Sequence, residues 1–129
     1  MKEKVRAKKI FTFDAAHSLP GYDGKCANIH GHTYRLEVVV SRPNGGLAEG
    51  GSSDGMVIDF SELSRIVKTE IIDQVDHKWL NDVFAFRTTS ENMAVHFFQL
   101  LARRLQDSDV VVEKVLLWET PTSCIEVGK

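Results

Sequence analysis

The chain has 129 residues, of which 43% are hydrophobic and 26% are charged, a balance typical of one globular domain. Its formal net charge of -2 excludes a basic field that would hold nucleic acid or an anionic membrane. No apolar run approaches the roughly 20 residues of a membrane span, and no apolar segment follows the basic N-terminus as in a secretory signal. We therefore expect a single cytoplasmic domain, residues 1–129, that binds neither nucleic acid nor membrane.

Two strands are predicted in the first third of the chain, at residues 4–16 and 32–42. In the second, apolar side chains at every other position from Tyr34 to Val40 share one face. The following stretch, residues 43–55, is rich in Gly, Ser and Pro. Its composition predicts a mobile loop, and its length inside so small a domain indicates either a function or disorder.

Two helices are predicted next. The first starts near Asp59, which can cap it, and Glu62 completes a pattern like a capping box. Its apolar stripe consists of Leu63, Ile66, Val67 and Ile71. A short loop at residues 76–81 leads to the second helix, from about Ser90 to Gln106.

The chain ends with two further predicted strands, roughly residues 110–119 and 122–127. The order is therefore ββααββ, an α+β fold in which two antiparallel hairpins form a sheet with both helices on one face. Such a sheet leaves edges that need covering, and oligomerisation is a common solution.

Three of the five histidines are placed to meet at one point. In His30-Gly31-His32 the two imidazoles fall on the same side of an extended chain, and Gly31 is expected to remove bulk between them. His17 ends the first strand, so a hairpin brings it close to His32. Three neutral imidazoles with an open fourth position are a familiar catalytic zinc site. Separate structural roles are the alternative, and we expect such a role for His96.

Cys26 lies four residues before His30 in a polar segment, and three interpretations remain open. It is a fourth zinc ligand in a closed structural site, a thiolate base or nucleophile activated by zinc and Lys25, or a small buried side chain. Cys124 is expected to be an ordinary strand residue, and both of the two cysteines to be free thiols.

Two acidic positions complete the candidate site. Asp76 next to His77 can fix the tautomer of the imidazole and form a proton-transfer unit, although a histidine at a helix C-terminus gives the same pattern. Glu119 ends the third long strand. Its carboxylate is either an exposed strand terminus or an acceptor for a ligand with two parallel N–H donors, such as the amino-pyrimidinone edge of a pterin.

These motifs, in this order, resemble the 6-pyruvoyltetrahydropterin synthase and 6-carboxytetrahydropterin synthase family. The matching segments are Phe13-Asp14-Ala15-Ala16-His17, Cys26-Ala27-Asn28-Ile29-His30-Gly31-His32, Gly55-Met56-Val57-Ile58-Asp59-Phe60, Asp76-His77-Lys78-Trp79-Leu80-Asn81, Thr89-Ser90-Glu91-Asn92 and Glu119-Thr120. The family often has Pro where this chain has Thr88, and we expect only a local difference there. The short interval from Cys26 to His30 resembles the bacterial carboxy enzymes more than the pyruvoyl enzymes.

The resemblance implies the tunnelling fold, in which subunits join their sheets into a barrel, and a homohexamer (a dimer of trimers) with active sites between subunits. It also implies the role of each candidate residue. His17, His30 and His32 match the Zn²⁺ ligands, Cys26 the catalytic base, Asp76 and His77 the proton relay, and Glu119 the pterin anchor.

The implied reaction is a carbon–carbon lyase reaction. It converts the pterin 7,8-dihydroneopterin triphosphate to 6-carboxy-5,6,7,8-tetrahydropterin, acetaldehyde and triphosphate, in queuosine and 7-deazapurine biosynthesis. Two alternatives are a 6-pyruvoyltetrahydropterin synthase, which keeps all the carbons, and a non-catalytic module stabilised by zinc. Identification of the pterin product distinguishes the first alternative from the carboxy enzyme. The number of sulfur atoms bound to zinc distinguishes the second, because a closed site includes the cysteine.

Overall fold

The first two strands pair along their whole lengths. The computed structural model describes residues 3–129, and in it β1 (Ala7–His17) lies antiparallel to β2 (His30–Ser41). Alternate side chains of β1, among them Phe13, Ala15 and His17, are buried on one face. The side chains between them are mostly exposed on the other face, as expected for a sheet covered on one side only.

The first helix begins after Asp59 and runs through three consecutive segments. These are α1 (Phe60–Val67), a π-helical turn (Lys68–Ile72) and α2 (Asp73–Val75). The predicted stripe is buried, with Leu63 and Val67 fully inaccessible to solvent. This face therefore packs on the sheet, as the periodicity of the sequence predicted.

Two more helices follow. The short helix α3 (Leu80–Val83) precedes α4 (Ser90–Arg104), which ends in a 3₁₀ turn (Leu105–Ser108). Thr89 caps α4, because its hydroxyl oxygen accepts a hydrogen bond from the Asn92 amide at 3.1 Å.

Within the described residues the sheet has five strands in the order β3-β1-β2-β4-β5. The strands β4 (Val111–Thr120) and β5 (Ser123–Gly128) form the second antiparallel hairpin, and β2 pairs with β4. The core lies between this sheet and the helices. The largest fully buried side chains include Tyr34, Phe13 and Phe97. The α+β fold predicted from the sequence is thereby confirmed.

The sheet differs from the prediction at its outer edge. The two-residue strand β3 (Lys78–Trp79) lies inside the predicted inter-helix loop and pairs in parallel with Ala15 and Ala16. Both predicted antiparallel hairpins are present, and β3 adds a short parallel strand that the sequence did not indicate. Two residues are too few for an alternating pattern, so β3 is set by its pairing partner instead of by its own sequence.

The predicted capping box is only half formed. The Asp59 carboxylate accepts a hydrogen bond from the Ser61 amide at 2.8 Å and caps α1. Glu62, however, accepts a hydrogen bond from the Ser108 hydroxyl at 2.9 Å. Because Ser108 is 46 positions away along the chain, this contact arises from the tertiary fold and has no local sequence signal.

Candidate metal centre and active site

The three predicted histidine ligands meet at the end of the β1–β2 hairpin. His17 and His30 are direct cross-strand partners, and His32 lies two positions further along β2. The alternation of side chains turns all three toward the helix-covered face. Their ring centroids lie 4.6 Å apart for His17 and His30, 4.8 Å for His30 and His32, and 5.4 Å for His17 and His32.

Two backbone carbonyls fix the tautomers of two of these rings. The Nδ1 atom of His17 lies 2.8 Å from the Thr88 carbonyl oxygen, and Nδ1 of His30 lies 2.8 Å from the Asn28 carbonyl oxygen. A carbonyl only accepts hydrogen bonds, so each Nδ1 carries the proton and each Nε2 keeps a lone pair in the neutral ring. This arrangement is the one that metal-bound histidines use.

The Nε2 atoms of His17, His30 and His32 are all buried and have no hydrogen-bond partner among residues 3–129. Burial is the main cause that lowers the pKa of His17 and of His32, which favours the neutral, ligating form. The Thr88 carbonyl opposes this shift at His17, and the negative charge of Glu119 opposes it at His32. Three imidazole nitrogens that converge in this way suit Zn²⁺.

Glu119 lies beside these histidines, on the same face of the sheet. One carboxylate oxygen is 2.9 Å from Nε2 of His32, although the contact lacks the alignment of a hydrogen bond. The other oxygen accepts a hydrogen bond from the Ser90 hydroxyl at 2.7 Å. The four potential ligand atoms, one from each histidine and one from Glu119, all lie within 4.8 Å of one another. The carboxylate is therefore placed either to ligate the metal or to accept from a molecule bound next to it.

Cys26 is not part of this four-residue group. It lies in a 3₁₀ turn (Lys25–Ala27) of the β1–β2 connection, where its carbonyl oxygen accepts from the Leu19 amide at 2.8 Å. Its thiol is half-buried and free, as is that of Cys124. The chain therefore does not assemble the closed site of one cysteine and three histidines, which the sequence had left open.

Gly31 does not act as the sequence suggested. It lies on the opposite face of β2 from the two histidines that flank it. A Cβ atom at this position would meet the Ala15 carbonyl oxygen at 3.5 Å, which is ordinary van der Waals contact. The two imidazoles are therefore brought together by the pleat of the strand, without any need for a missing side chain between them.

Asp76 and His77 form the predicted pair, with 3.1 Å between a carboxylate oxygen and Nδ1 of the imidazole. Two hydrogen bonds hold the pair against Asp14 of β1. The Asp14 amide donates to the Asp76 carboxylate at 3.0 Å, and the Asp14 carbonyl accepts from the His77 amide at 2.6 Å. The first of these bonds is the main cause that lowers the pKa of Asp76. His77 has a φ of 60°, a left-handed conformation that is uncommon outside glycine and often marks functional positions.

Within one chain this pair is separate from the histidine cluster. Asp14 points to the open face of the sheet, away from His17, and forms its own group with Asp76 and His77. The side chain of His77 is 78% exposed. A proton relay to the metal centre of the same chain therefore has no direct path, whereas the exposed imidazole is free to face another molecule.

Two grooves on the open face meet at His32. One has a volume of about 620 Å³ and is lined by Asp14, Thr33, His77 and Trp79, among others. The other has a volume of about 500 Å³ and includes Arg35, Trp118, Glu119 and Pro121. Both are therefore lined by His32, and the second also by Glu119.

Several residues that support the site were not found by sequence reasoning. Asn81 is the main one, because its side-chain amide bonds both the backbone amide and the carbonyl of Ser18 at 3.0 Å. These bonds hold the residue that follows His17. The backbone carbonyls of Thr88 and Asn28 accept from His17 and His30, and the Ser90 hydroxyl donates to Glu119. Every residue type has a backbone carbonyl, so the roles of Thr88 and Asn28 could not be predicted from the sequence. Only Asn81 and Ser90, which act through their side chains, could have been predicted to support the site.

His96 lies apart from the metal cluster. Its ring centroid is 5.2 Å from that of Phe84 and 5.6 Å from that of Phe86. Burial lowers its pKa. These aromatic contacts agree with the structural role expected for this histidine.

Tyr34 is a buried residue whose ring contacts the histidine cluster. Its ring stacks on Phe13 with centroids 4.8 Å apart and meets His32 edge-on at 5.4 Å. Burial, together with the negative charge of Glu119, raises the pKa of Tyr34 well above its ordinary value. The phenol therefore stays protonated.

Comparison with known proteins identifies the family. Residues 6–129 match the family described as 6-pyruvoyl tetrahydropterin synthase. The chain is 39% identical, over 94% of its length and 96% of the relative, to the 6-carboxy-5,6,7,8-tetrahydropterin synthase of Haemophilus influenzae. It is 40% identical to the enzyme of that name in Synechocystis, over 72% of this chain and 71% of that one.

The fold agrees with a solved structure of the same family. The 6-pyruvoyl tetrahydropterin synthase of Caenorhabditis elegans superposes with a TM-score of 0.76 and 29% identity, covering 97% of this chain and 95% of that one. Sequence and fold match over nearly the whole length. The chain belongs to the 6-pyruvoyl tetrahydropterin synthase family.

Proposed function

We propose that the chain is a zinc-dependent carbon–carbon lyase, a 6-carboxy-5,6,7,8-tetrahydropterin synthase. Its substrates are 7,8-dihydroneopterin triphosphate and one water molecule, and its products are 6-carboxy-5,6,7,8-tetrahydropterin, acetaldehyde and triphosphate. The product feeds queuosine and 7-deazapurine biosynthesis in the cytoplasm. The similarity to the Haemophilus influenzae and Synechocystis proteins, which carry this enzyme's name, supports the choice of reaction.

The observation that carries the proposal is the set of three buried Nε2 atoms without partners, two of them on rings whose Nδ1 protons are held by carbonyls. His17, His30 and His32 would hold Zn²⁺ through these nitrogens. A Zn²⁺ ion bound there would act as a Lewis acid toward the side-chain hydroxyls of the substrate.

The remaining residues bind the substrate and move protons. Glu119 anchors the pterin through its carboxylate, which Ser90 orients from one side. The Cys26 thiolate removes a proton from the substrate side chain, and His77, oriented by Asp76, transfers another. Cys26 precedes His30 on the connection that ends at the metal ligands, which supports its role as a base close to the metal.

We further propose that the active site is completed between subunits of a homohexamer, a dimer of trimers whose sheets join into a barrel. The separation of Asp76 and His77 from the histidine cluster within one chain supports this assembly. The exposed His77 would then serve the site of a neighbouring subunit.

Incubation of the zinc-loaded protein with 7,8-dihydroneopterin triphosphate, followed by mass spectrometry of the products, tests the function. We expect acetaldehyde and a 6-carboxy pterin. A pyruvoyl product with all carbons retained would assign the chain to the other branch of the family, which the Caenorhabditis elegans structure represents. Absence of turnover with zinc bound would favour the non-catalytic module or a different substrate.

The variant Cys26→Ala tests whether Cys26 acts as a catalytic base or as a metal ligand. Because Cys26 lies outside the group of potential ligand atoms, we expect full zinc content and a loss of turnover by roughly 10²-fold or more. Zinc content is measured by atomic absorption and turnover by acetaldehyde release. Cys124→Ala is the matched control, since it removes the other free thiol. Loss of zinc from Cys26→Ala alone would make Cys26 a ligand.

A further inference from the structure

The hydroxyl group of Tyr34 is a buried hydrogen-bonding group without a partner, on a ring that contacts two of the three clustered histidines. Tyr34 is fully buried, and its oxygen has no hydrogen-bond partner among the described residues. A buried hydroxyl without a partner has lost its hydration without compensation, and native proteins rarely leave such a group unpaired. Its retention here therefore calls for an acceptor that this chain does not supply.

The ring is oriented by its neighbours. Phe13 stacks on one side of it, while His17 and His32 meet it edge-on at centroid distances of 6.3 and 5.4 Å. The unpartnered buried side-chain atoms of residues 3–129 are this hydroxyl and the three Nε2 atoms of the ligand histidines. Three of these four atoms offer lone pairs to a cation, and the fourth offers a proton.

The chemistry of such a centre identifies the acceptor. A metal held by three histidines keeps a position for an oxygen atom of water or substrate. That oxygen gains electron density when it loses its proton, and a neutral phenol nearby stabilises it by donating a hydrogen bond. The O–H group of a tyrosine can donate such a hydrogen bond.

We propose that the Tyr34 hydroxyl donates a hydrogen bond to the substrate oxygen that lies next to the metal. Tyr34 is then a further catalytic residue, one that holds and stabilises a side-chain oxygen of the pterin substrate. The identity of the substrate in this assignment rests on the proposed function. The contact of the Tyr34 hydroxyl with an oxygen atom next to the metal does not depend on which substrate carries that oxygen.

The test compares Tyr34→Phe with Tyr22→Phe. The chain has only two tyrosines, and Tyr22 is 47% exposed in the β1–β2 connection. Each protein is loaded with Co²⁺, whose visible absorption reports its ligands, and titrated with glycolate, a small oxygen ligand. We expect Tyr34→Phe to bind Co²⁺ as the wild type does but to bind glycolate about tenfold more weakly. Tyr22→Phe should match the wild type in both.

The second readout is turnover of zinc-loaded protein. We expect the kcat/KM of Tyr34→Phe to fall roughly 10- to 100-fold while its free energy of unfolding stays equal or rises, because a buried unpaired hydroxyl is removed. Unchanged glycolate affinity and unchanged turnover would overturn the assignment. Weaker glycolate binding in a protein whose wild type turns over no pterin would support the contact with the metal-bound oxygen and overturn the proposed reaction.

A measurement on an unaltered Tyr34 completes the test. In Tyr22→Phe protein labelled with ¹³C at the tyrosine Cζ, Tyr34 gives the only signal of this kind. We expect the signal of the zinc-loaded protein to shift when glycolate is added, because the hydroxyl gains an acceptor. A signal that stays in place at saturating glycolate would contradict the proposal even if Tyr34→Phe failed to fold.

Discussion

At the scale of single residues, the amide of Asn81 holds the backbone immediately beyond His17. It donates to the Ser18 carbonyl and accepts from the Ser18 amide, both at 3.0 Å. The Thr88 carbonyl then fixes the ring of the same histidine. Two residues far along the chain therefore determine where one of the proposed metal ligands points.

We predict that Asn81→Ala weakens zinc binding by roughly 10- to 100-fold, as is usual when the support of a metal ligand is removed. Competition with a chelator measures the affinity. The free energy of unfolding of the metal-free protein should fall by about 1–3 kcal/mol, since two backbone groups of Ser18 lose their partners. Asn44→Ala is the control, because its side chain bonds only the nearby Gly46 amide. Equal zinc affinities of the two variants would contradict this role.

The buried histidines also predict how stability depends on pH. Burial lowers the pKa values of His17, His32 and His96 in the folded chain below the ordinary value of 6.5. The unfolded chain therefore binds more protons just below pH 6.5, and the free energy of unfolding must fall as the pH falls through this range.

Urea denaturation of the metal-free protein between pH 7.5 and pH 5 measures this dependence. We expect stability to be fully present above about pH 6.5 and to be lost progressively below it. The variant His32→Asn should show a smaller loss, because one of the responsible groups is removed. A flat profile in the wild type would show that these imidazoles already accept protons in the folded state.

At the scale of elements, the N-terminus of α1 depends on a local contact that the sequence predicted. Asp59→Ala removes the hydrogen bond to the Ser61 amide and should lower the free energy of unfolding by about 1 kcal/mol. Urea denaturation measures the change, and Asp59→Asn is the matched control because it keeps an acceptor oxygen. Zinc affinity should not change, since α1 supplies no metal ligand. A loss equal in both variants would show that the charge matters and the cap does not.

Elements with a local signal were predictable, whereas elements fixed by a distant partner were not. The stripe of α1 and the start of α4 at Ser90 follow from periodicity and capping. The contact of Glu62 with Ser108 and the strand β3 depend on residues far away in sequence. The loop at residues 43–55 was predicted from its composition alone, yet it pairs Ala48 with both Gly55 and Met56 through backbone hydrogen bonds.

The same distinction applies to the candidate site. The spacing of His30 and His32 and the end of the first strand at His17 were enough to predict the cluster, because alternation and a hairpin are local rules. The position of Glu119 beside His32 requires β4 to pair with β2 in its observed alignment. The tautomers of His17 and His30 depend on backbone carbonyls. Every residue type has such a carbonyl, so the sequence could not predict them.

At the scale of the whole molecule, the proposed sharing of sites between subunits predicts complementation. Cys26→Ala and His77→Ala should each be inactive alone, because each removes a group from every site. Mixed hexamers, refolded from equal amounts, should recover roughly one quarter of the wild-type sites if the two groups come from different subunits. Acetaldehyde release after mixing measures this recovery.

A double variant carrying both substitutions, mixed with Cys26→Ala, is the control and should remain inactive. No recovery in the first mixture, with hexamers formed according to light scattering, would place Cys26 and His77 of one site on the same subunit.

Because the connection between β1 and β2 is long, a metal bound by the three histidines would help to select the alignment of these strands. Short hairpins fix their alignment by turn geometry, but residues 18–29 form too long a connection for that. A slip of β2 by one residue would turn His30 and His32 to the open face while His17 stayed on the other. The observed alignment offers three nitrogens to one ion, so a metal present during folding would favour it over alignments slipped by one residue.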